Sequence, residues 1–194
     1  MSSPEFIKFI KSAPGIHDDE VEMIAGHFRT RLIKNRQFLL QEGEICKEVS
    51  YVSKGCFSYY KLLDNGKKSI IYFAFEDWWI GDLQSFLNRK PASTYLQALE
   101  DAELIHISRS DFDVLSSKSA SFVHLFNLKT QAGYLRAMEN SARDKSETSE
   151  EKYLRMMKDY PHLLQRVPHY DIAAYLGIAP ESLSRIRNKI ARGR

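Results

Sequence analysis

The chain has 194 residues, 43% of them hydrophobic and 27% charged, with a formal net charge of +3, which leaves room for one large domain or a medium one plus a small one. Its two cysteines, Cys46 and Cys56, lack metal-ligand spacing, which argues against a disulfide scaffold or a zinc site. No apolar run approaches the roughly eighteen residues of a membrane span and the N-terminus lacks a signal pattern, so a soluble, cytoplasmic protein with no membrane partner is expected.

The first thirty residues read as helical, with Phe6, Ile7, Phe9 and Ile10 clustered and Val21, Ile24, Ala25 and Phe28 recurring at helical steps. From about Leu32 to Ser108 the pattern changes to short runs rich in aromatic and β-branched residues: Phe38 to Leu40, Val49 to Val52, Cys56 to Leu62, Ser69 to Phe75 and Leu104 to Ile107. Turn signals at Gly43, Gly55, Asn65-Gly66 and Gly81 separate them, and Asn65-Gly66 between two apolar runs predicts a hairpin. Many short strands at such spacing point to a sandwich or barrel rather than alternating β-α units.

A long helix is predicted from about Ala120 to Arg143. Val123, Phe126, Thr130, Tyr134 and Ala137 line one side of it, and Leu125, Leu128, Ala132 and Leu135 another. A helix apolar on two sides must bury both, one on the β domain and the other on a second subunit or elsewhere in the same core. Arg143 to Glu151 is charged and without large apolar residues, a linker in which Thr148 and Glu151 form a capping box for the next helix. That helix stops near Tyr160, because Pro161 disfavours helix in the residue before it.

His169 to Leu176 carries Ile172, Ala173 and Leu176 at helical spacing, and Gly177 follows where a tight turn needs positive φ. Pro180 opens a second helix with an apolar stripe of Leu183, Ile186 and Ile190. Its other face holds Glu181, Ser184, Arg185, Arg187 and Lys189, a polar and cationic surface of the kind a DNA major groove accepts. Charge agrees with this: from Lys152 onward nine Lys and Arg face three Asp and Glu, while the first 151 residues carry a net −3. An acidic body joined to a basic end fits a sensor attached to a polyanion-binding module.

In this order the elements resemble the Crp/Fnr transcription regulators over essentially the whole chain. IAAYLGIAPESLSRIRNKI (Ile172 to Ile190) and WIGDLQSFL, beginning at Trp79, carry the resemblance most specifically. It implies an α+β chain: N-terminal helices and a β-roll of double-stranded β-helix (jelly-roll) type, a long dimerisation helix and a C-terminal helix-turn-helix. The boundaries are 1–119 for a cyclic nucleotide-binding-like sensor, 120–145 for the dimerisation helix and 146–194 for the DNA-binding domain. By resemblance, Glu181 and Arg185 read bases with Ser184 between them, in an E-x-x-S-R form closer to the Fnr branch. The chemistry is sound, since Glu accepts from the cytosine amino group and Arg pairs bidentately with guanine. Pro180 stands where Crp-type members have a base-reading Arg, so one contact is expected to be missing. Ser182, Arg187 and Lys189 are expected on phosphates, which position a protein without specifying sequence. A homodimer on near-palindromic double-stranded DNA with TGA-like half-sites follows.

The sensor cassette departs from the cyclic-nucleotide members, which open it on Gly-Glu-Leu and close it on Arg-Ser-Ala. Here the corresponding residues are Gly81, Asp82 and Leu83, then Ala92, Ser93 and Thr94, so the Arg that neutralises the cyclic phosphate is absent. A buried phosphate without a cation carries a large desolvation cost. Arg89 or Lys90 would have to fold inward to replace it, and the adenine-contacting Thr-Ser pair becomes Ala137-Met138. These losses argue against cAMP. Gly81, Asp82, Leu83, Ser93 and Thr94 remain the candidate pocket for an unknown small-molecule effector, if one exists. Trp78, Trp79, Phe86 and Tyr95 either line that pocket or fill the roll.

Two cysteines are too few for an iron–sulfur cluster, and His106 and His124 are the candidates for any haem ligation. The six histidines show no metal triad and no nucleophile has a partner base, so no enzyme activity and no metal site are expected. The competing function is a ligand-sensing or protein-interaction module whose basic end binds nucleic acid nonspecifically, with steep salt dependence and no sequence preference.

Overall fold

The computed structural model describes residues 4–144 and 146–193. Helices α1 (Pro4–Lys11) and α2 (Asp18–Gly26) bury Phe6, Ile10, Val21 and Ile24, the positions their apolar spacing turns to one side. Eight strands follow among the described residues: β1 (Arg29–Ile33), β2 (Phe38–Leu40), β3 (Glu48–Lys54), β4 (Phe57–Leu62), β5 (Lys68–Ala74), β6 (Trp79–Ile80), β7 (Tyr95–Ala98) and β8 (Ala102–Ser108). They make two antiparallel four-stranded sheets, in the orders β1-β8-β3-β6 and β2-β7-β4-β5. Consecutive strands repeatedly change sheet, as in a roll. Val52, Phe57, Leu104 and Ile107 sit fully buried among its core residues.

The hairpin expected at Asn65-Gly66 joins β4 to β5, with the Leu63 N–H bonded to the Lys67 carbonyl at 2.9 Å and Gly66 at φ 74°. Short helix α3 (Leu83–Asn88) interrupts the strands between β6 and β7, and α4 (Arg109–Lys118) caps the end of β8.

The long helix α5 (Ala120–Asp144) matches its expected length, but its two environments divide differently from expectation. They do not run side by side along the helix. Phe122 and Leu125 are buried near its start, where Phe112 meets Phe122 at 5.5 Å and Phe126 at 4.7 Å. From residue 131 to 139 every position is exposed, including Tyr134, Leu135 (67% accessible) and Met138. Contact with the roll persists there through Arg136, whose guanidinium lies 4.9 Å from the centre of the Trp78 ring.

Helix α6 (Ser149–Asp159) begins with the expected Thr148–Glu151 capping box and stops before Tyr160. Arg155 on α6 reaches back to Glu147 (2.9 Å) and Asp144 (3.0 Å), holding the charged connection in place. After α7 (Leu163–Arg166) come α8 (His169–Leu176) and α9 (Pro180–Ala191).

These C-terminal helices share an apolar cluster with the roll: Cys56, Tyr60, Ile70 and Phe73 of the sheet pack with Met156, Val167, Ile172 and Leu176. Arg166 clamps the seam. Its guanidinium forks onto Glu76 with two 2.8 Å bonds and also donates to Glu100 at 2.5 Å. Burial pushes the Glu76 carboxyl up, but the Arg166 bonds and the Gly55 N–H outweigh it and hold the group at about 2. Nearby, Lys68 of β5 lies 3.6 Å from the buried Asp171 of α8 and 4.4 Å from the centre of the Tyr60 ring. Burial raises the Asp171 carboxyl above its ordinary range, and the Lys68 charge opposes that rise.

Candidate nucleic-acid interface and sensor cassette

α8 and α9 are two helices joined by a tight turn. Gly177 ends α8 at φ 69°, a left-handed conformation that a Cβ disfavours, and the Ile178 N–H closes the turn on the Ala173 carbonyl at 3.0 Å. Pro180 occupies the first turn of α9, where a missing N–H costs nothing. Ala173 is buried and its small side chain permits close crossing; Leu183 is buried beside it, and Ile186 and Ile190 pack on the same cluster.

The opposite face of α9 points outward. Glu181, Ser184 and Arg185 are exposed, and the Glu181 and Arg185 side chains make no hydrogen bond or ion pair among the described residues. Ser184 donates its hydroxyl to the Pro180 carbonyl at 3.1 Å. The three residues expected on phosphates lie on the flanks and are more engaged. Ser182 is half-buried, the Arg187 guanidinium donates to the His169 ring, and Lys189 pairs with Glu150 of α6 at 2.7 Å.

The cassette residues come together, though not as a ligand pocket. Asp82 is buried and caps α3, accepting from the Ser85 N–H at 2.9 Å. Its other oxygen accepts from the hydroxyls of Thr94 (2.8 Å) and Tyr59 (3.1 Å). Burial pushes the Tyr59 phenol up to about 12, so it stays a donor. Leu83 is half-buried and Ser93 exposed. Ala92 is buried, with its N–H on Glu44 and its carbonyl taken by Gly43, each at 2.8 Å. Arg89 turns outward to Asp113 at 3.3 Å, and Lys90 is exposed.

A cyclic nucleotide does not fit this set. The carboxylate of Asp82 is engaged by its own chain, and neither Arg89 nor Lys90 folds inward to replace the missing Arg. The aromatic side chains of the region are engaged with one another: Tyr59 stacks on Tyr72 at 4.8 Å, Phe86 is fully buried, Tyr95 stacks on Tyr60 at 5.2 Å, and Trp79 joins Phe9 and Phe28. Trp78 lies under the Arg136 guanidinium at 4.9 Å. They fill the roll. A cavity of about 480 Å³ does open between the sheets, over Leu40, Ser50, Ile80, Gly81 and Leu96, with the Arg31–Glu48 ion pair at its rim. Of the five candidate pocket residues, Gly81 alone lines it.

His106 faces Glu48 at 3.7 Å, while His124 is exposed on α5. Among the described residues no group of His, Cys, Asp and Glu is arranged to hold a metal ion, and no helix is long and apolar enough to cross a membrane.

Comparison with known proteins fits this architecture. No curated protein sequence matches the chain. Among solved structures, the c-di-GMP-responsive global regulator CLP of Xanthomonas campestris superposes with a TM-score of 0.73 at 16% identity, over 91% of this chain and 93% of that one. A Eubacterium rectale protein assigned to the Crp/Fnr family of transcriptional regulators gives 0.69 at 16% identity, over 92% and 85%. The catabolite activator protein of Thermus thermophilus gives 0.58 at 20% identity, over 93% and 86%. Residues 30–119 match the cyclic nucleotide-binding domain family, and the chain as a whole has the fold of the Crp/Fnr transcription regulators.

Proposed function

We propose that the protein is a homodimeric, sequence-specific DNA-binding regulator of the Crp/Fnr type, not an enzyme, working without a cyclic nucleotide. The functional division is 1–119 for the sensor, 120–145 for the dimer helix and 146–194 for the DNA-binding part. Glu181, Ser184 and Arg185 read base edges, while Ser182, Arg187 and Lys189 contact phosphates. The observation that carries this reading is the outward pair on α9: a carboxylate and a guanidinium, one turn apart, exposed and unpaired. Unpaired charged groups on a helix anchored by its other face are free to meet base edges. Arg187 and Lys189 must exchange His169 and Glu150 for phosphates, so they set affinity through a competition. The exposed apolar groups Tyr134, Leu135 and Met138 in the second half of α5 support pairing with a second copy.

Two-fold symmetry then places two recognition helices on half-sites one duplex turn apart. Electrophoretic mobility shift against such palindromes tests the reading. Arg185→Ala is expected to weaken the preferred site by about 1–3 kcal/mol. Equal binding by variant and wild type would refute the base-reading role. Wild-type binding with no preference among duplexes and a steep salt slope would favour the nonspecific module instead.

A further inference from the structure

The stripe that holds Glu181 and Arg185 carries one more polar side chain. Asn188 is exposed, and its carboxamide makes no hydrogen bond or ion pair among the described residues. At about 100° per residue, positions 181, 184, 185 and 188 form one i, i+3, i+4, i+7 face. Asn188 lies within about 20° of Glu181 around the axis, near the middle of that face. Lys189 and Ser182 fall on one flank and Arg187 on the other, while Leu183, Ile186 and Ile190 point into the cluster behind. Along the axis, seven residues at 1.5 Å each separate Asn188 from Glu181 by about 10 Å, or three base-pair rises. Homeodomain-type helices read DNA with four residues at this same spacing.

We propose that Asn188 is a further base-reading residue, its carboxamide pairing bidentately with adenine, accepting from the N6 amino group and donating to N7. The proposal rests on the DNA-binding reading and extends it by one position per half-site. A phosphate role fits Asn188 poorly, because the groups suited to phosphates stand on the flanks and Asn188 stands between them. Its neutral amide also brings no charge to the backbone, yet presents the donor–acceptor pair that adenine's major-groove edge matches.

Selection of preferred duplexes from a random pool, with the full chain and its variants, tests this. Wild type is expected to prefer adenine at one symmetric position of each half-site, beyond those read by Glu181 and Arg185. Asn188→Ala is expected to lose that preference alone, binding the best site roughly ten- to a hundredfold more weakly. Asn188→Asp, which only accepts, is expected to move the preference toward cytosine. Asn188 is exposed, so thermal melts of both variants should match wild type and exclude misfolding. A uniform loss across all sequences in Asn188→Ala, or unchanged preferences in both variants, overturns the proposal while leaving the function intact. Wild-type protein without any sequence preference overturns both.

Discussion

Gly55 turns β3 into β4 at φ 117°, and a Cβ placed there would lie 2.4 Å from the Ala102 Cβ and 2.9 Å from its Cα. Backbone cannot move aside as a flexible side-chain end does. Gly55→Ala is therefore expected to cost about 3 kcal/mol in denaturant unfolding, from overlap and a disfavoured φ together. A loss below about 1 kcal/mol would mean that the turn relaxes freely. Glu76, whose carboxylate takes the Gly55 N–H and the Arg166 fork, makes a pH-dependent contribution. Its folded-state value of about 2 lies below the ordinary 4.5, so the stability it adds is complete above 4.5 and is lost as pH falls through about 2. Glu76→Gln removes that titration. Urea unfolding at a series of pH values should show the gap between wild type and variant closing across that window; a constant gap would assign the effect to packing. Asp82 presents the opposite lesson from Glu181: both are carboxylates in motif positions, but one is consumed by its neighbours and the other is free.

Among the helices, α5 and α9 illustrate how one element serves two surroundings. The first turns of α5 are anchored by Phe122 and Leu125, whereas Leu135 and Met138 meet no core of this chain. In the proposed dimer these exposed apolar groups are covered by α5 of the second copy across a two-fold axis. Leu135→Glu is expected to shift the protein from dimer to monomer in sedimentation analysis while leaving the thermal midpoint of the roll nearly unchanged. A variant that remains dimeric would place the subunit contact elsewhere. In α9 the division runs around the axis instead, with Leu183 inside and Glu181, Arg185 and Asn188 outside. That arrangement lets the outer residues vary without cost to the fold.

Taken whole, the molecule joins α8 and α9 to the roll through a seam. The apolar cluster shared by Phe73, Tyr60, Val167 and Ile172 supplies area, and Arg166 supplies geometry by holding two loops of the sheet at once. Arg166→Ala leaves Glu76 and Glu100 facing each other without a cation. Because these groups are partly solvated, the expected cost to docking is modest, roughly 1–2 kcal/mol. Hydrogen exchange should reveal it as protection in α8 falling well below that in β8. Equal protection in both would show that the apolar contact alone fixes the seam.

Periodicity, turn chemistry and caps made much of this legible beforehand. The Thr148–Glu151 box, the Gly177 turn, the Pro180 start of α9 and the length of α5 are local, and local rules apply to them. The exposed stripe of Glu181, Ser184 and Arg185 followed from helical spacing in the same way. Strands β1, β6 and β7 and helices α3, α4 and α7 escaped the reading, since short runs such as Trp79–Ile80 gain their order from partners distant in sequence. The same distance hid the Asp82–Tyr59–Thr94 network, the partners of Lys189 and Arg187, and the seam between β5 and α8. Spacing along a chain specifies which side chains share a face; what covers or neutralises that face depends on segments brought together from elsewhere, and folding alone makes that choice.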